Sequence, residues 1–387
     1  MSGVPTQTGE LGPDAGHARA ARLPARPAGA GLLAGLHHEY WPAWLFYAPL
    51  FPYLVWLAMR ERSCMAFTCV NPGMDNAGGF VGERKSRILG AFPASPHALP
   101  FRLLEPGDIE ARLRTLDDAI RDEPRLGFPL IIKPECGQRG LGVRLVRSRD
   151  DARRALIELD TDAIAQAYHP GPEECGVLWV RRPPGSPPAD DGCAGFIYSI
   201  TRKEFPVVIG DGVSTLGALI HAHPRYRRQA RVFRTRLGEG WGRTPARGEA
   251  VRLAMAGNHA QGTLFRDGAD LVTPALTRAI DALARSFAGG LDVGRFDLRY
   301  ESDEALRRGE GFGVVELNGA SSESTNLYDP ARGPLWAYGV LFGLWSRMYE
   351  LGAWRLRGGG CTTWSLARLV REWRAHLRDR RGSLVSD

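Results

Sequence analysis

An apolar strand that ends in a lysine and leads into a glycine-rich loop is the strongest constraint on the fold of this 387-residue chain. Residues 128–134 read FPLIIKP, with Lys133 near the end, and Gly137, Gly140 and Gly142 follow. Glycines let the backbone close on a ligand and point N–H groups at phosphate oxygens. The lysine adds a point charge for the same phosphates. The stretch predicts a phosphate-binding strand and loop; a structural hairpin is the alternative.

Lysine is scarce in this protein. Of the 50 basic residues only three are lysines, Lys85, Lys133 and Lys203. A coding pressure toward arginine would leave lysine only where a compact ammonium group does what a planar guanidinium cannot. We therefore interpret all three lysines as candidate site residues, with survival by drift as the alternative.

A second group of polar side chains lies on two apolar strands. One strand contains Arg295 and Asp297, and the next contains Glu316 and Asn318, which share a face because side chains alternate along a strand. An antiparallel pairing would bring Asp297 beside them. Two carboxylates and an amide oxygen are ligands suited to Mg²⁺. The pattern predicts a magnesium site; ion pairs between the acids and nearby arginines are the alternative.

Composition and missing motifs exclude several classes of protein. With 24% charged and 44% hydrophobic residues and a net charge of +7, the chain is neither wholly disordered nor collagen-like. Its six cysteines include no CxxC pair, which excludes a zinc ribbon and a thioredoxin motif. Walker A and GxGxxG loops are absent from the sequence. No signal peptide is recognisable, so we expect free thiols and a cytoplasmic location.

The N-terminal part contains a long uncharged stretch. Residues 1–35 are expected to be a disordered tail, and residues 40–59 have no charge and eight aromatic side chains. Three prolines within the stretch disfavour one straight membrane-spanning helix. We expect a pair of short helices packed against the body or a partner. Peripheral contact with a membrane surface is the second alternative, and a true span is the third.

From Met65 onward short apolar strands alternate with amphipathic helices, which predicts an α/β (α+β) fold. Strands are expected over residues 65–70, 99–106, 128–134, 294–302 and 311–319. Helices are expected over residues 83–92, 109–120, 335–351 and 365–377. The strongly basic C-terminal end is expected to be a solvated helix face, with contact to nucleic acid or anionic lipid as alternatives.

The order of these motifs resembles the ATP-grasp superfamily over roughly residues 66–330, above all D-alanine–D-alanine ligases and related carboxylate–amine ligases. Residues 207–220, VVIGDGVSTLGALI, resemble a stretch of cyanophycin-synthetase-like enzymes. The resemblance implies an ATP-grasp domain over residues 126–350, with subdomains over 126–200 and 201–350. A short pre-ATP-grasp domain (65–125) would precede it, behind the tail and an apolar helical segment (36–64), and a basic helix (351–387) would follow.

The resemblance also implies roles for particular residues. Those implied to bind the phosphates of ATP are Lys85, Lys133, Lys203, Gly137, Gly140 and Gly142. Those implied to bind Mg²⁺, with Mn²⁺ as a substitute, are Asp297, Glu316 and Asn318. Arg295 matches an arginine that faces the acyl intermediate, and Arg295 and Lys203 are the implied catalytic residues.

Further positions match the nucleotide hinge and the substrate pockets. Gln166 and Tyr168 match the hinge that binds adenine, and Glu174 (or Glu173) matches a glutamate that binds the ribose. Gln166 stands where these enzymes often have an acid. The candidate substrate residues are Ser322, Glu323 and Thr325, together with Asn258 and His259, for which a structural role is the alternative. The stretch after Asn318 departs from the PGMT-type sequence that binds D-alanine.

The activity implied by the resemblance is that of a bacterial ATP-dependent carboxylate–amine ligase. The acid would be phosphorylated by MgATP to an acyl phosphate, and an amine would then displace phosphate. The implied partners are a small carboxylate and an amine, such as amino acids or peptides, and a homodimer is an option. The alternatives are an ATP-grasp kinase or another ATP-dependent ligase, and a basic nucleic-acid-binding protein without catalysis, for which no recognised motif is present.

Overall fold

The computed structural model describes residues 37–93, 95–136, 142–183, 185–186, 192–254, 257 and 262–383, with the backbone alone for 376–383. The described chain forms two compact units. The larger one comprises residues 37–202 and 266–383, and the smaller one comprises residues 203–265. Both consist of helices with antiparallel strands, as the sequence predicts. The domain boundaries expected above remain predictions.

A four-stranded antiparallel sheet in the larger unit contains the predicted lysine strand. Its strands are β1 (Phe101–Leu104), β2 (Leu130–Pro134), β3 (Arg144–Val146) and β4 (Ala163–Ala167), in the order β1-β4-β2-β3. Helices α5 (Ile109–Asp122) and α6 (Arg149–Glu158) share a core with the sheet. Leu130 and Ile132 of β2 belong to that core, so the alternate residue Lys133 points to the opposite face.

A five-stranded sheet contains the predicted acidic strands. Its order is β11-β10-β5-β6-β9, and its strands are β5 (Glu173–Arg181), β6 (Gly195–Glu204), β9 (Leu264–Asp267), β10 (Val293–Tyr300) and β11 (Phe312–Asn318). Helices α9 (Pro274–Ser286) and α10 (Asp303–Arg307) cover one face. The chain passes into the smaller unit near the end of β6 and leaves it in β9.

The uncharged N-terminal stretch forms two short helices, α1 (Ala43–Tyr47) and α2 (Leu50–Arg60). Phe46, Leu50 and Leu57 are buried against the long helix α11 (Pro334–Arg357) and its surroundings, so the expected packing as a helix pair is confirmed. None of the helices in the described part of the chain combines the length and apolarity needed to cross a bilayer. The chain ends in α12 (Leu366–Ser383).

The strand expected over residues 65–70 is wrong. Ala66–Cys69 form a buried 3-10 helix that packs on α11, because an apolar run this short fits a buried helical turn as well as a strand. Helices α3 (Asp75–Gly79) and α4 (Lys85–Gly90) follow, and α4 confirms the helix expected over residues 83–92.

One buried asparagine anchors residues 66–93 to β10 through hydrogen bonds. Asn71 has a positive φ of 55°, and its Oδ1 accepts hydrogen bonds from the backbone N–H groups of Asp292 (2.7 Å) and Val293 (2.8 Å). Its Nδ2 donates to the carbonyl oxygens of Gly78 (2.9 Å) and Val293 (2.8 Å). The Asp292 carboxylate in turn accepts from Arg355 at 2.8 Å. Residues 66–93 are thereby joined to the start of β10.

The smaller unit has its own core. Strands β7 (Val207–Ile209) and β8 (Ala250–Arg252) pair, and helices α7 (Leu216–Ala222) and α8 (Ala230–Leu237) pack on them. Thr215 caps α7 by accepting a hydrogen bond from the N–H of Ala218. The turn before it is closed by Asp211, whose carboxylate accepts from the N–H groups of Val213 and Ser214.

Candidate active site

The predicted metal ligands lie opposite one another on β10 and β11. In the antiparallel register Asp297 pairs with Glu316, and Arg295 pairs with Asn318. Asn318 Nδ2 lies 3.4 Å from Asp297 Oδ2, and Arg295 Nε donates to Asp297 Oδ1 at 3.1 Å. The structure thus brings these four side chains together, and Asp297 also has the arginine partner that the alternative interpretation expected.

The candidate ligands fit a hard cation such as Mg²⁺ only when the amide of Asn318 is counted together with the two carboxylates. In the described residues no three His, Cys, Asp or Glu side chains come close enough to hold a metal ion by themselves. Asp297 and Glu316 supply two carboxylates, and the amide of Asn318 supplies a third oxygen. A magnesium ion keeps several waters and shares its coordination with substrate phosphates, so three protein oxygens are a sufficient set.

A β-bulge links the strand of the predicted metal ligands to Lys133. The register steps from Asp297↔Glu316 to Leu298↔Val314, which leaves Val315 as the extra residue of β11. Its carbonyl oxygen accepts a hydrogen bond of 3.0 Å from Lys133 Nζ. The buried ammonium group donates a second bond of 2.8 Å to Gln166 Oε1. Lys133 thus joins the two sheets of the larger unit at this point.

Several charges act on Lys133. Burial lowers its pKa to about 8, and the nearby carboxylates, above all Glu316, oppose that shift while the ammonium group of Lys85 adds to it. Lys85 begins α4, and its Nζ donates to the backbone carbonyl of Glu135 at 3.2 Å. Two of the three lysines therefore lie within electrostatic reach of each other and of the acidic pair.

Glu135 and Ser86 hold the start of the glycine-rich loop against α4. The Glu135 carboxylate is buried and accepts hydrogen bonds from the hydroxyl (2.6 Å) and the N–H (3.1 Å) of Ser86. Neither residue was predicted for the site. Gly142 has a φ of +69°, and a Cβ there would lie 2.8 Å from Pro134, so this position requires glycine. Gly137 and Gly140 fall outside the described residues.

Glu83 is a further carboxylate at this site that the sequence analysis missed. Its Oε1 accepts a 2.6 Å hydrogen bond from the N–H of Gly319, the residue after Asn318. Burial raises the pKa of Glu83 to about 7, and Glu316 adds to the shift, whereas the Gly319 bond and the charge of Arg295 oppose it. The only signal in the sequence is that Glu83 precedes Lys85 by two residues.

The predicted hinge residues lie on β4, β5 and the turn between them. Gln166 is buried, and its Nε2 has no hydrogen-bond partner among the described residues. Arg299, which was not predicted, contacts both of the other hinge candidates. Its guanidinium lies over the ring of Tyr168, 4.8 Å from the ring centroid, and one of its nitrogens lies 3.9 Å from the Glu174 carboxylate. The Glu174 candidate therefore has an ion-pair partner.

The loop after β11 contains the candidate substrate residues. Ser322 is buried, and its hydroxyl donates to the Gly319 carbonyl at 2.6 Å, while the Thr325 hydroxyl donates to Thr201 at 3.0 Å. The Glu323 carbonyl accepts a 3.0 Å hydrogen bond from Arg295, which ties the loop to the acidic strands.

The Glu323 side chain has two tyrosine partners that sequence reasoning missed. Tyr47 donates to one carboxylate oxygen at 2.5 Å, and Tyr328 donates to the other at 2.9 Å. Tyr328 is five residues from Glu323, but no pattern in the sequence connects Tyr47 with a residue 276 positions away.

Three predicted residues remain to be placed. Lys203 is the first residue of the smaller unit and belongs to β6, and its role stays a prediction. Asn258 and His259 lie outside the described residues.

No family model matches the sequence, and no curated protein matches it. Among similar solved structures, a bifunctional glutathione synthetase from Pasteurella multocida is 17% identical, with a TM-score of 0.36, over 64% of this chain and 34% of that one. A D-alanine–D-alanine ligase from Bacillus anthracis is 14% identical, with a TM-score of 0.36, over 68% of this chain and 64% of that one.

A carboxyaminoimidazole ribonucleotide synthase from Aspergillus clavatus, complexed with ATP, is 15% identical, with a TM-score of 0.33, over 62% of this chain and 43% of that one. The three are ATP-grasp enzymes, the superfamily that the sequence motifs resemble. This chain spans less than two thirds of the length of each.

Proposed function

We propose that this protein is an ATP-dependent carboxylate–amine ligase with an ATP-grasp nucleotide site. The main support is that Lys133 and Arg295, from separate segments, lie within electrostatic reach of the opposed carboxylates Asp297 and Glu316, and that Lys85 lies within electrostatic reach of Lys133. Cations beside two carboxylates, with Lys133 buried and Lys85 and Arg295 partly buried, suit a polyanionic ligand that arrives with a divalent cation.

The carboxylates would hold the divalent cation. Asp297, Glu316 and Asn318 would be the ligands of Mg²⁺, with Mn²⁺ as a substitute. The bound ion would supply charge neutralisation to the phosphates. Arg295 would remain close to Asp297, because its guanidinium Nε lies 3.1 Å from the carboxylate and balances its charge.

The cations and the hinge would hold the nucleotide. Lys85, Lys133, Lys203 and the glycine-rich loop with Gly137, Gly140 and Gly142 would bind the phosphates. Adenine would lie along Gln166 and Tyr168, and Glu174 would accept hydrogen bonds from the ribose. Nε2 of Gln166, which has no hydrogen-bond partner in the described part of the chain, would donate to a ring nitrogen of the base.

The reaction would have two steps. A carboxylate oxygen of the acid substrate attacks the γ-phosphorus of ATP, the bond to the β-phosphate oxygen breaks, and ADP leaves. An amine then attacks the acyl carbon, and phosphate leaves with the electron pair of the C–O bond. The protein would contribute positioning and charge neutralisation, with Arg295 and Lys203 facing the oxygen that becomes negative in each transition state.

The test is ADP release from MgATP with a panel of carboxylic acids, with and without added amines, followed by mass spectrometry of the products. An amide whose formation requires both substrates would support the ligase. ADP release with a stable phosphorylated product and no amine requirement would indicate the kinase instead. Glu316→Gln should abolish turnover, while Glu310→Gln, an exposed carboxylate paired with Arg308, is the matched control.

We also propose that the outer faces of α1 and α2 contact a membrane surface. Trp44, Phe51, Val55 and Met59 are 59–74% exposed, and the segment 40–60 contains no acid. Trp and Phe at the edge of a basic surface favour the lipid headgroup region. Helix α12 adds positive charge for anionic lipid and exposes three apolar side chains, Leu366, Val370 and Trp373.

Co-sedimentation with vesicles tests the membrane contact. The wild-type protein should bind phosphatidylcholine–phosphatidylglycerol vesicles more strongly than pure phosphatidylcholine, and Phe51→Glu with Met59→Glu should abolish binding. Val272→Glu, a substitution at an exposed valine elsewhere in the larger unit, should leave binding unchanged. A dimer that the Phe51 and Met59 substitutions convert to monomer, without vesicle binding by the wild type, would assign this face to a second copy instead.

A further inference from the structure

Two free cysteines that are far apart in the sequence meet beside α11. Cys69 ends the buried 3-10 helix Ala66–Cys69, and Cys361 lies in the segment between α11 and α12. The Cys69 thiol donates a hydrogen bond to the Cys361 sulfur, so the two sulfur atoms are neighbours in the fold. Neither cysteine belongs to the proposed nucleotide or metal site.

Contacts that do not involve sulfur hold the same two segments together. The N–H of Trp364 donates to Thr68 Oγ1 at 3.1 Å. Leu369 of α12 packs on the apolar cluster that contains Ala66 and Phe67. Thr68 adjoins the first cysteine in the sequence, and Trp364 follows the second by three residues. The proximity of the two thiols is therefore built into the packing of these segments.

The segment that contains Cys361 begins with three consecutive glycines. Gly358–Gly360 are exposed, and a Cβ at Gly359 or Gly360 would have no neighbour within 4 Å in the described part of the chain. Glycine has more backbone freedom than any other residue, so this linker by itself restrains α12 only weakly. The contacts of Thr68, Leu369 and the two sulfurs therefore hold the start of α12 against the larger unit.

The two thiols differ in environment. Cys69 is buried, and burial together with the neighbouring Cys361 sulfur raises the pKa of its thiol, so it stays protonated at neutral pH. Cys361 is partly exposed and lies within electrostatic reach of the Arg355 guanidinium. A nearby cation and a hydrogen-bond donor both favour the thiolate, which is the nucleophilic form of cysteine. An oxidant would therefore react first with Cys361, and Cys69 is placed to react with the product.

We propose that Cys69 and Cys361 form a redox modification site, in which a hydroperoxide oxidises the two thiols to an intramolecular disulfide that anchors the linker before α12 to the 3-10 helix Ala66–Cys69. The disulfide would replace a weak thiol contact by a covalent bond at the one cysteine of the linker. The site is independent of the proposed ligase function, because none of its residues binds the nucleotide or the metal in that proposal.

The oxidation has two steps. The Cys361 thiolate attacks one oxygen of the peroxide, the O–O bond breaks, and hydroxide leaves and takes up a proton, which gives a sulfenic acid. The Cys69 sulfur then attacks the Cys361 sulfur, the S–O bond breaks, and the Cys69 proton leaves with that oxygen as water. Overall, two thiols and one hydrogen peroxide give a disulfide and two waters. A small dithiol reverses the reaction by thiol–disulfide exchange.

Peptide mapping of the full chain tests the disulfide. The Cys64→Ser variant is used so that the tryptic peptide 63–84 contains Cys69 as its only cysteine, while peptide 358–368 contains Cys361. After treatment with hydrogen peroxide, alkylation and digestion without reductant, the two peptides should appear linked, and dithiothreitol should separate them. We expect the link to form at least about tenfold faster than the exposed Cys136 is oxidised.

Limited trypsin digestion of the native protein measures what the disulfide does. Cleavage after Arg357, the last residue of α11, should slow by about tenfold or more in the oxidised protein, because the bond restrains the linker that follows. Peroxide should not change this cleavage in Cys361→Ser, a substitution at a partly exposed position. Cys136→Ser replaces an exposed cysteine elsewhere and is the matched control, which should respond to peroxide as the wild type does.

Each contrary result has a definite meaning. Peroxide treatment that oxidises Cys361 to a sulfinic acid, or leaves it reduced, without the linked peptides would overturn the site. Linked peptides found only in a covalent dimer would overturn it as well and assign Cys361 to a contact between two copies. An intramolecular disulfide with unchanged cleavage after Arg357 would overturn the proposed anchoring of the linker.

Discussion

The ammonium nitrogen of Lys133 lies 2.8 Å from the side-chain oxygen of Gln166, across the neighbouring strands β2 and β4. Because an ammonium group can only donate, this contact turns the amide oxygen of Gln166 toward the lysine and its NH₂ group away from it. If Gln166 binds the base as proposed, the lysine sets which of its hydrogen-bonding groups faces that base. A change at position 133 should affect nucleotide binding through Gln166 as well as through the phosphates.

Lys133→Arg should lose most activity although the charge is kept. The buried site offers two acceptors, Gln166 Oε1 and the Val315 carbonyl, to a single nitrogen, and a planar guanidinium is larger and cannot match them. We expect ADP release to fall by about 100-fold or more, with an unchanged circular dichroism spectrum. A rate close to wild type would remove the argument that lysine is retained here for its shape.

Asp297→Asn should change the metal requirement. The substitution removes one of two opposed carboxylates and the ion-pair partner of Arg295, so half-maximal activity should need about tenfold more Mg²⁺. The measurement is ADP release as a function of Mg²⁺ concentration. Asp270→Asn removes an exposed carboxylate paired with Arg202 and is the control. Equal metal dependence in both variants would contradict the ligand assignment.

Glu83→Gln should stabilise the ligand-free protein at alkaline pH. The folded-state pKa of about 7 lies above the ordinary value of 4.5, so the native state binds this proton more tightly than the unfolded chain. The ionised carboxylate therefore lowers stability progressively as the pH rises from about 4.5 through 7, and the effect is complete above that.

Urea denaturation at pH 5 and pH 8 checks this expectation. The free energy of unfolding of Glu83→Gln should exceed that of wild type by at most about 3 kcal/mol at pH 8, and the difference should shrink at pH 5. Glu158→Gln, at an exposed position, should show no such pH dependence. A variant that is less stable than wild type at pH 8 would show that the Gly319 bond outweighs the burial of charge.

Lys203→Ala should weaken ATP binding. If this lysine contacts the phosphates, its loss should raise KM for ATP by about tenfold or more and leave the melting temperature of the protein unchanged. Arg231→Ala removes an exposed cation of the same unit and serves as the control. An unchanged KM for ATP would remove Lys203 from the nucleotide site, while the assignments of Lys85 and Lys133 would stand.

Much of the fold is predictable from local patterns. The strands that contain Lys133, Asp297 and Glu316 and the helix that contains Lys85 form where apolar alternation and helical spacing predict them. The antiparallel pairing of Asp297 with Glu316 also follows from two strands that succeed each other in the sequence. The strand expected over residues 65–70 failed, because a largely apolar run of six residues does not distinguish a strand from a buried helical turn.

The sequence could not predict the contacts that arise only from tertiary packing. The carboxylate of Glu83 reaches the site through the backbone of Gly319, and Tyr47 reaches Glu323 from a helix in an otherwise apolar segment. Likewise, the carbonyl of Val315 becomes a partner of Lys133 because the register of β10 and β11 shifts by one residue. None of these contacts could be predicted from the spacing of residues or from the composition of the sequence around them.

Asn71, which anchors residues 66–93 to β10, has a consequence for the proposed binding of the nucleotide. Asn71 bonds the backbone at Asp292 and Val293, only two to five residues before Arg295 and Asp297, while Glu83 and Lys85 belong to the segment it secures. The spacing between these groups is thus set by a buried amide that is not itself one of the candidate site residues. The folded protein thus already holds the charged side chains of both segments close together, including pairs of the same sign. The repulsion between them is overcome when the protein folds, so a ligand would bind to a preorganised site.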